Sequence, residues 1–381
     1  MRVFCIFRMI AFLSVAGVLC FLPVNSFCIG NSAVSAIVIE TSTNSVVYEK
    51  NAYSKMPMAS TTKIMTAICA IESGNVDRVV RVNDKAVGIE GSSIYLAKGE
   101  RLSVRDLLYG LMLNSGNDAA VAIAYAVSGK IEDFVALMNE TAKKIGAKNT
   151  HFDNPNGLDG KTHYTTAYDL AIITSYALKN KTFAQIVSTY KKTIPNGDRG
   201  FDRALKNHNK LLKLYDGCTG VKTGFTKKSG RCLVASAKRN GTELVAVTLN
   251  DGNDWQDHIS MLDYGFDNTY TTRVQRRGDF VKTLSVNGGT EPFVKAICLG
   301  EFNHTRILGN RENVSVVYDI PDSISAPVAY GETLGKIDIY YKDKLVRTLP
   351  VVSSECIEKK GAGIVMENIG ILFDFWLDFI C

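Results

Sequence analysis

Ser60 and Lys63 stand three residues apart in PMASTTKIMTA, residues Pro57 to Ala67. On a helix that spacing stacks the hydroxyl one turn from the amine. The run IMTAICAI (Ile64 to Ile71) is apolar almost all around such a helix, and the next charged residue after Lys63 is Glu72. A helix apolar on every face belongs in a core. Burial there favours the neutral amine and lowers the lysine pKa, and a neutral amine can take the proton from a serine as it attacks. A competing reading is that Ser60 only caps the helix, because serine is among the commonest N-cap residues. The spacing alone does not decide, since Ser188 and Lys191 in STYK repeat it. That copy lacks the apolar run, is followed by Lys192, and reads as surface.

Acyl transfer through a serine also needs a proton relay, a grip on the substrate and donors for the oxyanion. LMLNSGNDAA places Ser115 and Asn117 two residues apart at a junction between apolar stretches. On a tight turn both side chains can enter one cleft, although Ser115, Asn117 or Asp118 could equally cap a helix. The Ser-x-Asn string recurs at Ser42, Ser73 and Ser285, so as a string it carries little. GVKTGFTKKSG places Lys222, Thr223 and Gly224 in a strand-like run, and this triplet occurs once. A cation and a hydroxyl there could grip a carboxylate, while Gly224 permits close backbone approach.

The elements that must hold these residues follow from periodicity. AIVIETSTNSVVYEKNA reads as two short strands with a turn between them. Helical spacing runs from Ser60 to about Ser73 and through VRDLLYGLML, NDAAVAIAYAV, IEDFVALMNETAKKIG and AYDLAIITSYAL. GVKTGF, GRCLVASAKR and TELVAVTLN read as strands, the last two joined by the tight-turn pair Asn240-Gly241. A last helix is expected around DWQDHISMLDYGF. Strands at both ends with helices between predict an α+β domain whose terminal strands share a sheet with helices packed on it. Beyond about Tyr270, short alternating segments separated by Gly, Asn, Asp and Pro predict a small all-β domain.

The chain has 381 residues, 46% hydrophobic and 22% charged, room for two domains. A net charge of +6 without a dense Lys/Arg run argues against nucleic acid as a partner. Arg2 and Arg8 precede an apolar run from Met9 to Leu22, and Val24 and Ser26 are placed for cleavage after Ser26. This is the layout of a secretory signal peptide, so export is expected. The nine cysteines are scattered and odd in number, unlike a disulfide framework. Cys218 and Cys232 flank the strand pair and could be bridged or simply buried. In the tail, GIVMENIGILFDFWLDFIC, Glu367, Asp374 and Asp378 share one side of a helix, while Phe373, Trp376, Leu377 and Ile380 lie elsewhere around it. Such a segment is expected to lie on a membrane surface rather than span it. The five histidines, 151, 163, 208, 258 and 304, have no zinc-type spacing.

Taken in order, Ser-x-x-Lys at a helix start, Ser-x-Asn between helices and Lys-Thr-Gly on a strand resemble the penicillin-recognising serine enzymes. ASTTKIMTA, LMLNSGNDAA, NPNGLD, KNHNKLL and GVKTGFTKKSGRCLVASAKRNG narrow the resemblance to the D-alanyl-D-alanine carboxypeptidases, the low-molecular-mass penicillin-binding proteins, from about Ala33 to Phe266. APVAYGETLGKIDIYYKDKLV resembles the smaller β domain of that family, and the tail its usual membrane anchor. The resemblance implies a signal peptide at 1–30, a serine β-lactamase/transpeptidase-like domain at 31–272, a β domain at 273–356 and an amphipathic tail at 357–381. It implies Ser60 as the acylated nucleophile, Lys63 as its base, and Ser115 with Asn117 as proton relay and substrate-orienting pair. Lys222 and Thr223 would bind the terminal carboxylate of the stem peptide or of a β-lactam. The N–H groups of Ser60 and Phe225, beside Gly224, would form the oxyanion hole. The implied partners are the peptidoglycan stem peptide, β-lactam antibiotics and the outer face of the cytoplasmic membrane, with no metal or organic cofactor.

One departure stands out. Many members carry an arginine before the last helix of the catalytic domain, thought to help hold the substrate carboxylate. NDGNDWQDHISMLDYGF contains none, which leaves Lys222 and Thr223 alone, His258, or an arginine elsewhere. A class A serine β-lactamase would share Ser60, Lys63 and Lys222 but also use a glutamate, and Gly157 to Ala167 contains none, with only Asp159 and Asp169 nearby. A non-catalytic peptidoglycan sensor would be expected to lack Ser60, Lys63 or Lys222.

Overall fold

Two hydrophobic stretches far apart in sequence pair to build the central sheet. In the computed structural model, which describes residues 29–197, 200–309 and 314–361, strand β1 (Ser35–Glu40) pairs antiparallel with β2 (Val46–Lys50) on one side. On its other side β1 pairs with β5 (Thr242–Leu249). Strands β3 (Cys218–Thr226) and β4 (Gly230–Arg239) complete an antiparallel sheet in the order β2-β1-β5-β4-β3. Every residue of β1 is buried, as a strand covered on both faces requires. Asn240 and Gly241 both take positive φ, the geometry of the tight hairpin turn expected between β4 and β5.

Helices fill the interval. The longest are α1 (Lys63–Glu72), α2 (Val104–Leu113), α3 (Asn117–Ser128), α4 (Ile131–Ile145) and α5 (Ala167–Leu178), with α6 (Asp254–Asp267) following the sheet. Helix α1 is buried at every position from Lys63 to Ile71, the central helix that its apolar circumference predicts. It packs in the large core with Ile37, Leu107, Ile123, Phe134 and Val234. The opposite sheet face carries a second cluster with Leu233, Leu244, Met261 and Leu262, where α6 lies.

Beyond α6, a six-stranded sheet runs from Phe280–Asn287 to Lys344–Ser353 around its own core of Leu284, Val294, Ile337, Ile339 and Val351. Ser45 Oγ donates to Tyr341 Oη at 3.0 Å, tying this β region to the β1–β2 turn.

Cys218 pairs in register with Ala237 and Cys232 with Gly224, so the two sulfurs sit on different rungs and both are free thiols. Among the described residues no helix is long and apolar enough to cross a membrane. The expected signal segment and most of the amphipathic tail lie outside the described residues.

Candidate active site

Ser60 does not cap a helix. It sits in a 3-10 turn, Ala59–Thr62, just ahead of α1, and neither that turn nor α1 has a side-chain cap. The turn is strained and tightly held. Ala59 takes φ +46°, sparsely populated for a residue with a Cβ. Thr62 Oγ1 donates to Ala59 O at 2.8 Å and lies 2.7 Å from His163 Nε2. His163 Nδ1 accepts from the Asp153 N–H, so the proton resides on Nε2 and is donated to Thr62. Burial holds this imidazole down at about 4, so it stays neutral. From the other side, Gly157 (φ +89°) approaches so closely that a Cβ there would lie 2.0 Å from Ala59 O.

Lys63 is fully buried, and its Nζ lies 2.8 Å from Ser60 Oγ and 2.8 Å from Asn117 Oδ1. The third partner is the carbonyl oxygen of Asn156, in the NPNGLD loop. Burial pushes the Lys63 amine well below its usual range, and the nearby Lys222 charge adds to this. Asp118 opposes the shift from a distance.

Ser115 occupies the α2–α3 junction at φ +60°, like Ala59 a non-glycine residue in the left-handed region. Such strain persists only where the surroundings dictate it, and it clusters at functional sites. Asn117, the first residue of α3, is fixed three ways. Its N–H donates to Ser92 O at 2.7 Å, its Nδ2 to Glu90 O at 2.5 Å, and its Oδ1 accepts from Lys63. The 92–96 segment that supplies the Ser92 contact is itself anchored. Buried Asp118 accepts from Ser93 Oγ and from the N–H groups of Ile94 and Leu96. Arg203 donates to Ile94 O at 2.8 Å and forms a buried two-point pair with Glu100.

Strand β3 forms the opposing wall. A Cβ on Gly224 would meet Ala59 Cβ and Ser60 N at 3.1 Å, so glycine is what lets the strand approach the turn. Successive strand residues point to opposite faces, and that separates Lys222 from Thr223. Lys222 is buried, its Nζ donates to Thr223 O at 2.8 Å, and burial lowers its pKa to about 7. Thr223 instead lines an open cleft of about 480 Å³ with Ser60, Ser115, Gly224 and Phe225. The cleft continues past His208 and Ser92 to Arg231, Asp254 and Trp255.

Residues 29–253 match the D-alanyl-D-alanine carboxypeptidase family, and residues 270–359 match the C-terminal domain of penicillin-binding protein 5. The chain belongs to the D-alanyl-D-alanine carboxypeptidase family. It is therefore a serine hydrolase of peptidoglycan metabolism, with the mixed α/β fold and C-terminal β domain of that family. The D-alanyl-D-alanine carboxypeptidase DacF of Bacillus subtilis is 34% identical over 343 residues, covering 87% of this chain and 88% of its own. DacD of Escherichia coli is 29% identical, covering 90% of each chain. Among solved structures, penicillin-binding protein 5 from Haemophilus influenzae aligns with a TM-score of 0.62 at 26% identity, over 87% of this chain and 98% of that one. A variant of the Streptomyces K15 DD-transpeptidase aligns with a TM-score of 0.59 at 33% identity, over 62% of this chain and 99% of that one.

For this carboxypeptidase-family chain, the structure brings Ser60, Lys63, Asn117, Ser115, Thr223, Gly224 and Phe225 around one site. Lys222 lies beneath the strand surface, buried, with its Nζ on Thr223 O and its charge acting on Lys63 and on the cleft-lining His208. His258 is fully buried against Thr248 Oγ1 at 3.0 Å, away from the cleft lining, which removes it as a ligand for substrate. Asp159 accepts from Thr226, and Asp169 from Asn149 and Thr150, so neither takes the place of a glutamate beside Ser60. Sequence reasoning missed Asn156, His163, His208, Arg231, Asp254 and Trp255. Their residue types carry no spacing signal, and only the packing of loops and of α6 against the sheet assembles them.

Proposed function

We propose that Ser60 is the nucleophile that opens the terminal D-Ala-D-Ala bond of a stem pentapeptide, with Lys63 as its neutral base. The observation that carries this is the Lys63 environment. A neutral amine has two hydrogens and one lone pair, and Asn117 Oδ1 and the Asn156 carbonyl accept the two hydrogens. The lone pair is left for the Ser60 hydroxyl, 2.8 Å away. As Oγ bonds to the scissile carbonyl carbon, its proton passes to Lys63 Nζ. The carbonyl oxygen takes the charge toward the N–H groups of Ser60 and Phe225, whose strand Gly224 lets approach the turn. When the C–N bond breaks, the proton goes from Lys63 through Ser115 to the amine of the departing D-alanine. Water then hydrolyses the ester, releasing the shortened peptide and Ser60. A β-lactam would follow the same first step, but its leaving amine stays tethered to the acyl group.

Thr223 supports the reading as a hydroxyl donor toward the substrate carboxylate. Lys222 acts from beneath, its charge biasing Lys63 toward the neutral form. The domain limits that suit these roles are 31–272 for catalysis and 273–356 for the β domain. Export through the 1–30 segment and attachment of the 357–381 helix to the outer membrane surface complete the proposal, supported by the sequence pattern alone.

Fluorescent-penicillin labelling and D-alanine release from a pentapeptide, in wild type and Ser60→Ala, test it. Both signals should vanish in Ser60→Ala. Labelling that survives would remove Ser60 as nucleophile. Labelling without D-alanine release would favour a sensor, and rapid penicillin turnover a β-lactamase.

A further inference from the structure

A substrate that ends in a carboxylate calls for a cation at the cleft surface, and Lys222 is buried with its Nζ on Thr223 O. Strand register decides what is there instead. Phe225 pairs directly with Arg231, and Thr223 lies two residues from Phe225, so Thr223, Phe225 and Arg231 share one sheet face. All three line the cleft with Ser60 and Gly224. Among the described residues lining the cleft, Arg231 is the one with a permanent positive charge.

Arg231 is also held in place. Its Nη2 donates to Asp254 Oδ1 at 2.7 Å, and that carboxylate is almost fully buried at the start of α6. Its Cζ stands 5.8 Å from the centre of the Trp255 ring, with Lys210 Nζ 5.7 Å from the same ring. The Arg231 side chain is 45% exposed, against 5% for Asp254. One corner of the guanidinium is therefore spent on the protein, and the rest of its planar fork faces the cleft, a shape that matches a carboxylate. An arginine on β4 held by an aspartate on α6 thus supplies the charge that NDGNDWQDHISMLDYGF lacks.

We propose that Arg231, oriented by Asp254 and Trp255 and acting with Thr223, is the residue that selects substrates by their terminal carboxylate. This rests on the reading of Ser60 as the nucleophile. Arg231 binds substrate, whereas Asp254 and Trp255 are positioning residues.

The test measures kcat/KM for a pentapeptide ending in free D-alanine and for the same peptide ending in D-alaninamide. Wild type should prefer the free acid by about 10- to 100-fold, the range of a charge-assisted hydrogen-bonded pair. Arg231→Gln should lose most of that preference, mainly through KM for the acid, and leave the amide peptide nearly unchanged. Arg231→Lys should retain part of it. Asp254→Arg combined with Arg231→Asp places the cation on the other partner and should recover preference that Arg231→Gln lacks. An unchanged acid-to-amide ratio in Arg231→Gln, or equal loss on both peptides in Arg231→Gln and Arg231→Lys, would overturn the proposal. Saturating fluorescent penicillin, which should still label Ser60 in every variant, separates this failure from failure of the Ser60 reading. If Arg231→Gln does not fold, the Arg231→Lys ratio decides, since a point charge without the fork should narrow the preference.

Discussion

Lys63 Nζ lies 2.8 Å from Ser60 Oγ, at the first residue of a helix buried on every side. The amine is shielded from water, and its hydrogens have fixed oxygen partners in Asn117 and Asn156. Its chemistry is therefore set by its neighbours rather than by solvent.

Acylation by penicillin should rise with pH as Lys63 loses its proton, and that rise should lie well below the ordinary lysine range. Lys222→Met removes a neighbouring positive charge that depresses Lys63. The midpoint of the acid limb should therefore move to higher pH, as stopped-flow acylation rates would show. A midpoint unmoved by Lys222→Met would mean that the two amines do not interact.

Lys222 also predicts a stability slope. Its pKa is about 7 in the folded chain, against 10.5 for a free lysine, so the unfolded state binds more protons between those values. Stability should rise with pH across that window, and Lys222→Met should flatten the rise. Urea midpoints at either end of the window, for both proteins, measure the difference.

His163 gives the same sign at lower pH. Its pKa falls from 6.5 to about 4, so stability is lost as pH drops through that interval. The loss approaches about 3 kcal/mol once both states are protonated. His163→Asn should abolish that step and loosen the Ala59–Thr62 turn, slowing acylation. A thermal-melt series from pH 7 to pH 4 checks the first expectation, and penicillin labelling rate the second.

Gly157→Ala should be severe. The new Cβ would lie 2.0 Å from Ala59 O, at a φ of +89° that alanine avoids. Either the NPNGLD loop retreats, taking the Asn156 carbonyl from Lys63, or the turn shifts. Stability should fall by about 2 kcal/mol or more, with acylation slowed at least tenfold. Denaturant unfolding together with labelling kinetics would show both.

Glu100→Gln should reveal how far the relay depends on a buried pair remote from it. It leaves Arg203 unpaired in the core, a loss of about 3 to 5 kcal/mol. Arg203 still holds Ile94 O and Tyr95 O, so residual acylation should persist in the folded fraction. Folded protein without any acylation would show that this pair, not Asp118, carries the 92–96 segment.

Local patterns in the sequence determined much of this protein. The apolar circumference behind Lys63 marks a buried helix, and period-two runs with Asn240-Gly241 mark the hairpin, because both signals depend on neighbours a few residues away. The order of the Ser60, Ser115 and Lys222 motifs pointed to the penicillin-recognising serine enzymes, and the strings around them narrowed that to the carboxypeptidase family. Tertiary structure decided what local patterns cannot carry. Adjacency suggested that Lys222 and Thr223 grip one carboxylate; tertiary structure decided that Thr223 lines the cleft while Lys222 is buried beneath it. The motif order favoured Ser60 as nucleophile over cap, and the turn ahead of α1 showed its hydroxyl against Lys63. Arg231 and Asp254 are 23 residues apart in sequence, and Lys63 and Asn156 are 93 apart. Only the packing of α6 and the NPNGLD loop against the sheet edge makes either pair neighbours, since contacts closed across a fold leave no periodic trace in the chain.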